Sequence, residues 1–308
     1  MDTSPKISII TRTYNRAHTL PRAIESVLRQ EYGNWELIIV DDGSTDDTST
    51  VLSKYQDGRI KTITHARNQG VTAAGNTGLD HMSGEWFTFL DSDDEMTPDA
   101  LSTMVRVLEM NPAIDAVTCN GIEAVTGKFR GTGLDHSQYL DFHTMVKCCR
   151  GDHWGITKAS LLEGRRFNPV IMSENILWYK ISQSAKRYYI HKGLLVVHTE
   201  GEDRVSKPQF QQVLDRKKTF YLALLGEEEY LGILRNHAPS GYSRIMFYIA
   251  LFSIMEGDKS TARRCFRELR RQGSWARMAL VQVGLILGMR GTSIMYRAMS
   301  ITMSIIRR

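Results

Sequence analysis

The chain has 308 residues, 42 % of them hydrophobic and 24 % charged, the profile of a folded protein with a large core or a core plus an appended unit. Its four cysteines, Cys119, Cys148, Cys149 and Cys265, show neither metal-ligand spacing nor a disulfide framework, which argues against a zinc module or a stapled secreted scaffold and reads as reduced thiols in the cytoplasm. The net charge of +5 is uneven: residues 261–308 hold ten Arg against one acid, Glu268, a local +9, which leaves −4 for the rest and no general nucleic-acid surface.

No signal peptide is expected, because the N-terminal Met-Asp-Thr-Ser-Pro runs straight into a strand at 6–11. A loop at 12–16 follows. Leu20, Ala23, Ile24, Val27 and Leu28 recur at helical spacing, with Pro21 suited to a first turn. Residues 36–40, Glu-Leu-Ile-Ile-Val, form a second, mostly apolar run, expected to be a buried parallel strand, and end in a turn cluster at 41–46. A helix is expected over 48–55, a strand over 60–64, a loop at 68–70 and a helix over 73–82. The aromatic run Trp-Phe-Thr-Phe-Leu at 86–90 reads as a further buried strand. Strands alternating with helices indicate an α/β fold with a mostly parallel sheet, whose ligands sit beyond the carboxyl ends of the strands.

Two of these strands end in acids. Asp91 and Asp93 are two residues apart, so they share a face where the fourth strand opens into a loop. Adjacent carboxylates repel unless a cation lies between them. A hard divalent ion, Mg²⁺ or Mn²⁺, solves this and also holds substrate phosphates. The alternative is a solvated acidic turn. Downstream, residues 99–110 form an amphipathic helix, 116–119 a strand, and the Gly- and Asp-rich stretch 127–142 a loop over the site.

The segments Ile-Ser-Ile-Ile-x-x-Thr-Tyr-Asn-Arg (7–16), Glu-Leu-Ile-Ile-Val-Asp-Asp-Gly-Ser-Thr-Asp (36–46), Arg-Asn-Gln-Gly (67–70), Gly-Asn-Thr-Gly (75–78) and Phe-Leu-Asp-Ser-Asp-Asp (89–94) resemble, in order and separation, family 2 glycosyltransferases of the GT-A fold. The resemblance covers about residues 5–205. It implies an inverting transferase (EC 2.4) that uses a nucleoside diphosphate sugar and a divalent metal, Mn²⁺ or Mg²⁺. By position, Thr11, Tyr14 and Asn15 would line the base and ribose, and Asp41 or Asp42 would contact the base. Asp91 and Asp93 match the Asp-x-Asp metal and ribose motif. Two positions depart from the family. Arg12 stands where Pro is frequent, and either faces the diphosphate or is solvated. Gly75 stands where an arginine is frequent, and Arg67 is a candidate substitute.

Residues 152–158 resemble the family's acceptor segment, where His153 and Trp154 either stack on a sugar or pack internally. Residues 173–179 resemble its Glu-Asp plus aromatic helix, in which the aspartate is the base that deprotonates the acceptor hydroxyl. Here that position is Asn175, so either Glu174 takes the role or the enzyme is impaired. His198 matches the histidine that completes the metal shell or touches the diphosphate. Arg204 would pair with phosphate oxygens.

We therefore expect a GT-A domain over 1–206 and a helical region over 207–308. Within the latter, the apolar run at 278–289 looks too short to span a bilayer. The basic, apolar stretch 275–308 is expected to lie in a membrane interface, placing the protein peripherally on the inner face, with docking on the protein or mediating a dimer as the alternative. The expected acceptor is a glycan or lipid-linked molecule of the cell envelope; the oligomeric state stays open. Competing readings are a non-catalytic sugar-nucleotide-binding scaffold, favoured by Asn175, and a nucleotidyltransferase-like enzyme, disfavoured because no Gly-rich phosphate loop follows the first strand.

Overall fold

The first two apolar runs become strands buried along nearly their whole length, β1 (Ile7–Thr13) and β2 (Trp35–Asp41), joined by helix α1 (Leu20–Leu28). The expected helix 48–55 closes earlier, as α2 (Thr48–Leu52). There follow β3 (Ile60–Thr64), α3 (Val71–His81), β4 (Trp86–Phe89), the two-residue β5 (Glu95–Met96) and α4 (Ala100–Met110). The remainder of this part comprises β6 (Ala116–Glu123), β7 (Gln138–Leu140), α5 (Phe142–Cys148), β8 (His153–Lys158), α6 (Asn175–Ser182) and β9 (Arg187–Val197). This computed structural model describes residues 4–171, 173–199 and 210–306.

The strands form one sheet in the order β3-β2-β1-β4-β8-β6-β9-β5, with β7 also on β9. The run β3-β2-β1-β4 is parallel throughout. Beyond it the sheet is mixed: β8 is antiparallel to both β4 and β6, and β6 is parallel to β9. The loop expected over 127–142 contains β7, whose partner β9 lies about fifty residues on, a pairing no local pattern announces.

Alternation on β1 divides the core. Ile7 and Ile9 face a layer with Leu20, Ile24 and Val27 of α1 and Leu101 and Met104 of α4. Ile10 faces the opposite layer, with Leu79, Phe87, Phe167 and Leu177. On that side α3 comes very close: a Cβ at Gly78 would lie 2.3 Å from Ile10 Cγ2.

The chain divides by its internal contacts into Met1–Asp203 and Arg204–Arg308. The boundary expected at 206/207 and Arg204 lie outside the described residues. The second unit is helical: α7 (Phe210–Ala223), α8 (Glu228–His237), α9 (Pro239–Met255), α10 (Lys259–Arg271) and α11 (Trp275–Ile306). α9 is apolar on all sides because α7, α8, α10 and α11 pack around it. α10 buries Ala262, Cys265 and Leu269 and exposes Arg263, Arg264, Arg267 and Arg270.

The C-terminal apolar segment is longer than the sequence reading allowed. Helical structure carries it from Trp275 to Met299, 25 residues, enough by length and composition to cross a membrane. Gly288 interrupts it with a non-helical backbone, φ 67° and ψ −163°. The Thr292 hydroxyl compensates the break, contacting the carbonyls of Gly284 and Gly288 at 3.1 and 2.8 Å.

Candidate active site

Because β1, β2 and β4 are parallel, their carboxyl ends share one rim. Ile10 is level with Phe89, and the Leu90 amide donates to the Ile10 carbonyl at 2.9 Å. Continuing that register brings Arg12 beside Asp91. The Arg12 side chain is only 8 % exposed. Its Nη2 donates to Asp91 Oδ1 at 3.0 Å, its Nη1 donates to the Glu174 carboxylate, and its guanidinium lies 4.8 Å above the Phe89 ring. Arg12 is therefore not solvated; it is an ion-pair hub at the cleft. It joins carboxylates 83 positions apart in the chain.

Glu174 is the residue before α6 and Asn175 is the first residue within it. Both line a cleft of about 720 Å³, together with Arg12, Asp91, Asp93 and His198. Glu174 thus brings a carboxylate into the cleft where Asn175 cannot.

Asp94, not singled out by its sequence, is the buried member of the acidic loop. Burial pushes its carboxyl up to about 7. The His198 amide, 3.1 Å from Oδ1, opposes the shift, while the charges of Asp91, Asp93 and Asp152 add to it. His198 Nε2 sits 2.8 Å from Glu95 Oε1. Among the described residues, no three His, Cys, Asp or Glu side chains converge as a ready ligand cluster. The loop instead presents oxygen donors whose charges repel one another, a donor set of the type that accepts a hard cation.

The residues expected to receive the nucleotide lie on the neighbouring part of the rim, away from the residues lining the cleft. Thr11 is buried, and its Oγ1 has no partner among the described residues. Tyr14 is 44 % exposed. Asn15 adopts a left-handed backbone, φ 52°, and its Oδ1 accepts from the Thr45 amide at 2.8 Å. Asp41 accepts from the Ser44 amide at 3.0 Å. Asp42 contacts His65 Nδ1 at 2.7 Å and accepts from the amides of Gln69 and Gly70 at 2.9 and 2.7 Å, which ties the third loop to the second. Arg67 is exposed, and its backbone packs so closely on Gly43 that a Cβ there would meet the Arg67 carbonyl carbon at 2.7 Å.

On the acceptor side, Trp154 packs internally: it is 9 % exposed and its Nε1 donates to the Phe89 carbonyl at 2.7 Å. Burial pulls the pKa of His153 down, and its Nε2 has no partner among the described residues. Asp152 faces the cleft in an ion pair with Arg130. Asp94, Arg130, Asp152 and Arg187 all line the cleft; the sequence placed Asp94 in the acidic motif and Asp152 in the acceptor segment without giving either a role, and overlooked Arg130 and Arg187. The register of β1 against β4 was the one signal able to reveal Arg12's partner; the others depend on pairing between distant strands.

Comparison with known proteins agrees with this geometry. The family described as Glycosyl transferase family 2 matches residues 8–157, the span from β1 through β8. A Campylobacter jejuni protein, GalNAc(5)-diNAcBac-PP-undecaprenol beta-1,3-glucosyltransferase, is 35 % identical over 243 residues, 75 % of each chain. The Escherichia coli protein WfgD, a UDP-Glc:alpha-D-GlcNAc-diphosphoundecaprenol beta-1,3-glucosyltransferase, is 40 % identical over 105 residues, 34 % of this chain and 42 % of that one. Among solved structures, Staphylococcus aureus TarS 1–349 in complex with UDP-GlcNAc superposes with a TM-score of 0.58 at 17 % identity, covering 87 % of this chain and 92 % of that one. The mannosyltransferase PcManGT from Pyrobaculum calidifontis, in complex with GDP-Man and Mn²⁺, gives 0.51 at 20 % identity, covering 93 % and 81 %. These likenesses identify the fold as GT-A. Kinship over 75 % of both chains, and a family match across the strands that build the cleft, make this protein a glycosyltransferase, and the chain belongs to glycosyl transferase family 2.

Proposed function

We propose that the enzyme moves a sugar, with inversion, from a nucleoside diphosphate sugar to a hydroxyl of a lipid-linked glycan of the cell envelope. One observation carries this reading: the Glu174 and Asp91 carboxylates face a single cleft, bridged by Arg12. Glu174 accepts the proton of the acceptor hydroxyl. The freed oxygen attacks the anomeric carbon from the side opposite the diphosphate, and this single displacement inverts the centre. Arg12 aims the Glu174 carboxylate and balances its charge. Thr11, Tyr14, Asn15, Asp41, Asp42 and Arg67 receive the base and ribose, and Arg204 the diphosphate.

Asp91 and Asp93 would hold Mn²⁺ or Mg²⁺, with His198 joining once it leaves Glu95; the ion supplies positive charge to the departing diphosphate. The crowded carboxylates around Asp94 support such a site. The acceptor class is supported by the two relatives named for diphosphoundecaprenol acceptors.

A peripheral station on the inner membrane face completes the reading. Trp275, Ile286, Leu287 and Ile294 of α11 are each more than half exposed, and the basic side chains of residues 261–308 suit anionic headgroups.

The test is Glu174→Gln with Mn²⁺ present. Transfer is expected to fall about 10²- to 10⁴-fold, the usual contribution of a general base, while donor affinity persists. A variant with wild-type kcat overturns the assignment.

A further inference from the structure

The cleft has a second charged feature, at the other end of α6 from Glu174. Arg187 opens β9, level with Ala116 of β6 and Leu140 of β7, and lines the cleft. Its Nη1 donates to Thr118 Oγ1 at 2.6 Å and its Nη2 to Ser182 Oγ at 3.1 Å. Both partners are neutral hydroxyls. No carboxylate lies within ion-pair distance among the described residues, whereas Arg12 and Arg130, the other two arginines lining the cleft, each have one. Its titratable neighbour Cys149 supplies no negative charge either: burial raises the pKa of that thiol, so it stays protonated near neutrality. Burial also pulls the Arg187 guanidinium down to about 10, the response of a cation with no counter-ion.

A guanidinium carries five N–H donors, and two hydroxyls fix its fork without using them up. A half-buried charge held in this way and open to a cleft is arranged to meet an anion. We propose that Arg187 is the receptor for a phosphate or diphosphate group on the acceptor. This rests on the transferase reading only in taking the occupant to be the acceptor. The spacing fits: Glu174 and Ser182 are eight residues apart along α6, about 12 Å at 1.5 Å per residue. That separates the reacting hydroxyl from the anion by a short stretch of sugar. The acceptor is then gripped at both ends, by Glu174 at its hydroxyl and by Arg187 at its phosphate.

The first test is calorimetric titration of the full chain with inorganic pyrophosphate in chelator, which removes metal-linked donor binding. Arg187→Gln is expected to weaken binding at least about tenfold, the cost of losing a charge-assisted contact, and Arg187→Lys to fall between the two. Sodium glucuronate, titrated in parallel, is expected to bind more weakly than pyrophosphate; tighter glucuronate binding would overturn the phosphate assignment in favour of an acidic sugar. Equal pyrophosphate affinity in wild type and Arg187→Gln overturns the site. Should Arg187→Gln not fold, Thr118→Val, which frees one arm of the fork, is expected to weaken pyrophosphate severalfold, and an unchanged affinity in that variant also overturns the site. Failure of the general base is read from the transfer kinetics of Glu174→Gln and failure of this site from pyrophosphate binding by Arg187→Gln, so the two are distinguished by different variants and different measurements.

Discussion

Two buried acids, one at each end of the parallel sheet, are treated in opposite ways. At the amino end, Glu36 of β2 is 2 % exposed. Burial alone would raise its pKa, but Lys61, Ser8 and the amide and hydroxyl of Ser83 all donate to it, and its carboxyl is held far below the ordinary range. At the carboxyl end, Asp94 is buried among acids and pushed the other way. A fully partnered acid stabilises the fold. A crowded, under-partnered one is a stored electrostatic cost that a bound cation relieves, and such groups gather at functional sites. The difference separates framework from chemistry without reference to any relative.

This contrast is open to direct attack. The largest effect is expected from Asp91→Asn: kcat falls about 10²- to 10³-fold, worth about 3–4 kcal/mol of transition-state stabilisation, while the melting temperature holds. A large loss of stability with activity retained would erase the distinction between the two ends. Glu36→Gln is expected to do the reverse, lowering unfolding free energy by about 1–3 kcal/mol at neutral pH and sparing kcat. Its pH dependence sharpens the point. A depressed folded-state pKa contributes stability that is complete above the unfolded value, about 4.3, and is lost as pH falls through the folded value. Wild-type stability should therefore decline on acidification below about pH 4.3, and the Gln variant should lack that part of the slope.

Gly78→Ala forces a methyl onto Ile10 and should cost about 1–3 kcal/mol, measured by denaturant unfolding. Trp154→Phe removes one hydrogen bond to the Phe89 carbonyl and should cost about 1 kcal/mol. The smallest effect concerns the second unit: deleting residues 275–308 should reduce sedimentation with anionic liposomes, most clearly at low salt.

Much of the parallel half was legible in the sequence, because its strands alternate with helical patterns and the two central apolar runs, β2 and β4, have their ends marked by Asp41 and Asp91. The rim that gathers the acids followed from strand order alone. The mixed half was not legible in the same way. β7 pairs with a distant strand inside a stretch rich in turn residues. Trp154 reads equally as a sugar platform or a core residue until its indole N–H is seen on β4. Arg12 looks solvated in isolation; only the β1–β4 register reveals its pair with Asp91. Arg187 carried no signal, because what distinguishes it is the absence of an acid in three dimensions.

Gly288 decides what kind of object α11 is. An unbroken rod from Trp275 to Met299 would measure about 37 Å, longer than the roughly 30 Å of hydrocarbon in a bilayer. Bent at Gly288, it becomes two arms of about 20 and 17 Å, neither able to reach the opposite leaflet. One elbow in the backbone thus separates a raft from a mast, and Gly288→Ala, which disfavours the left-handed backbone, would push the same residues toward the latter.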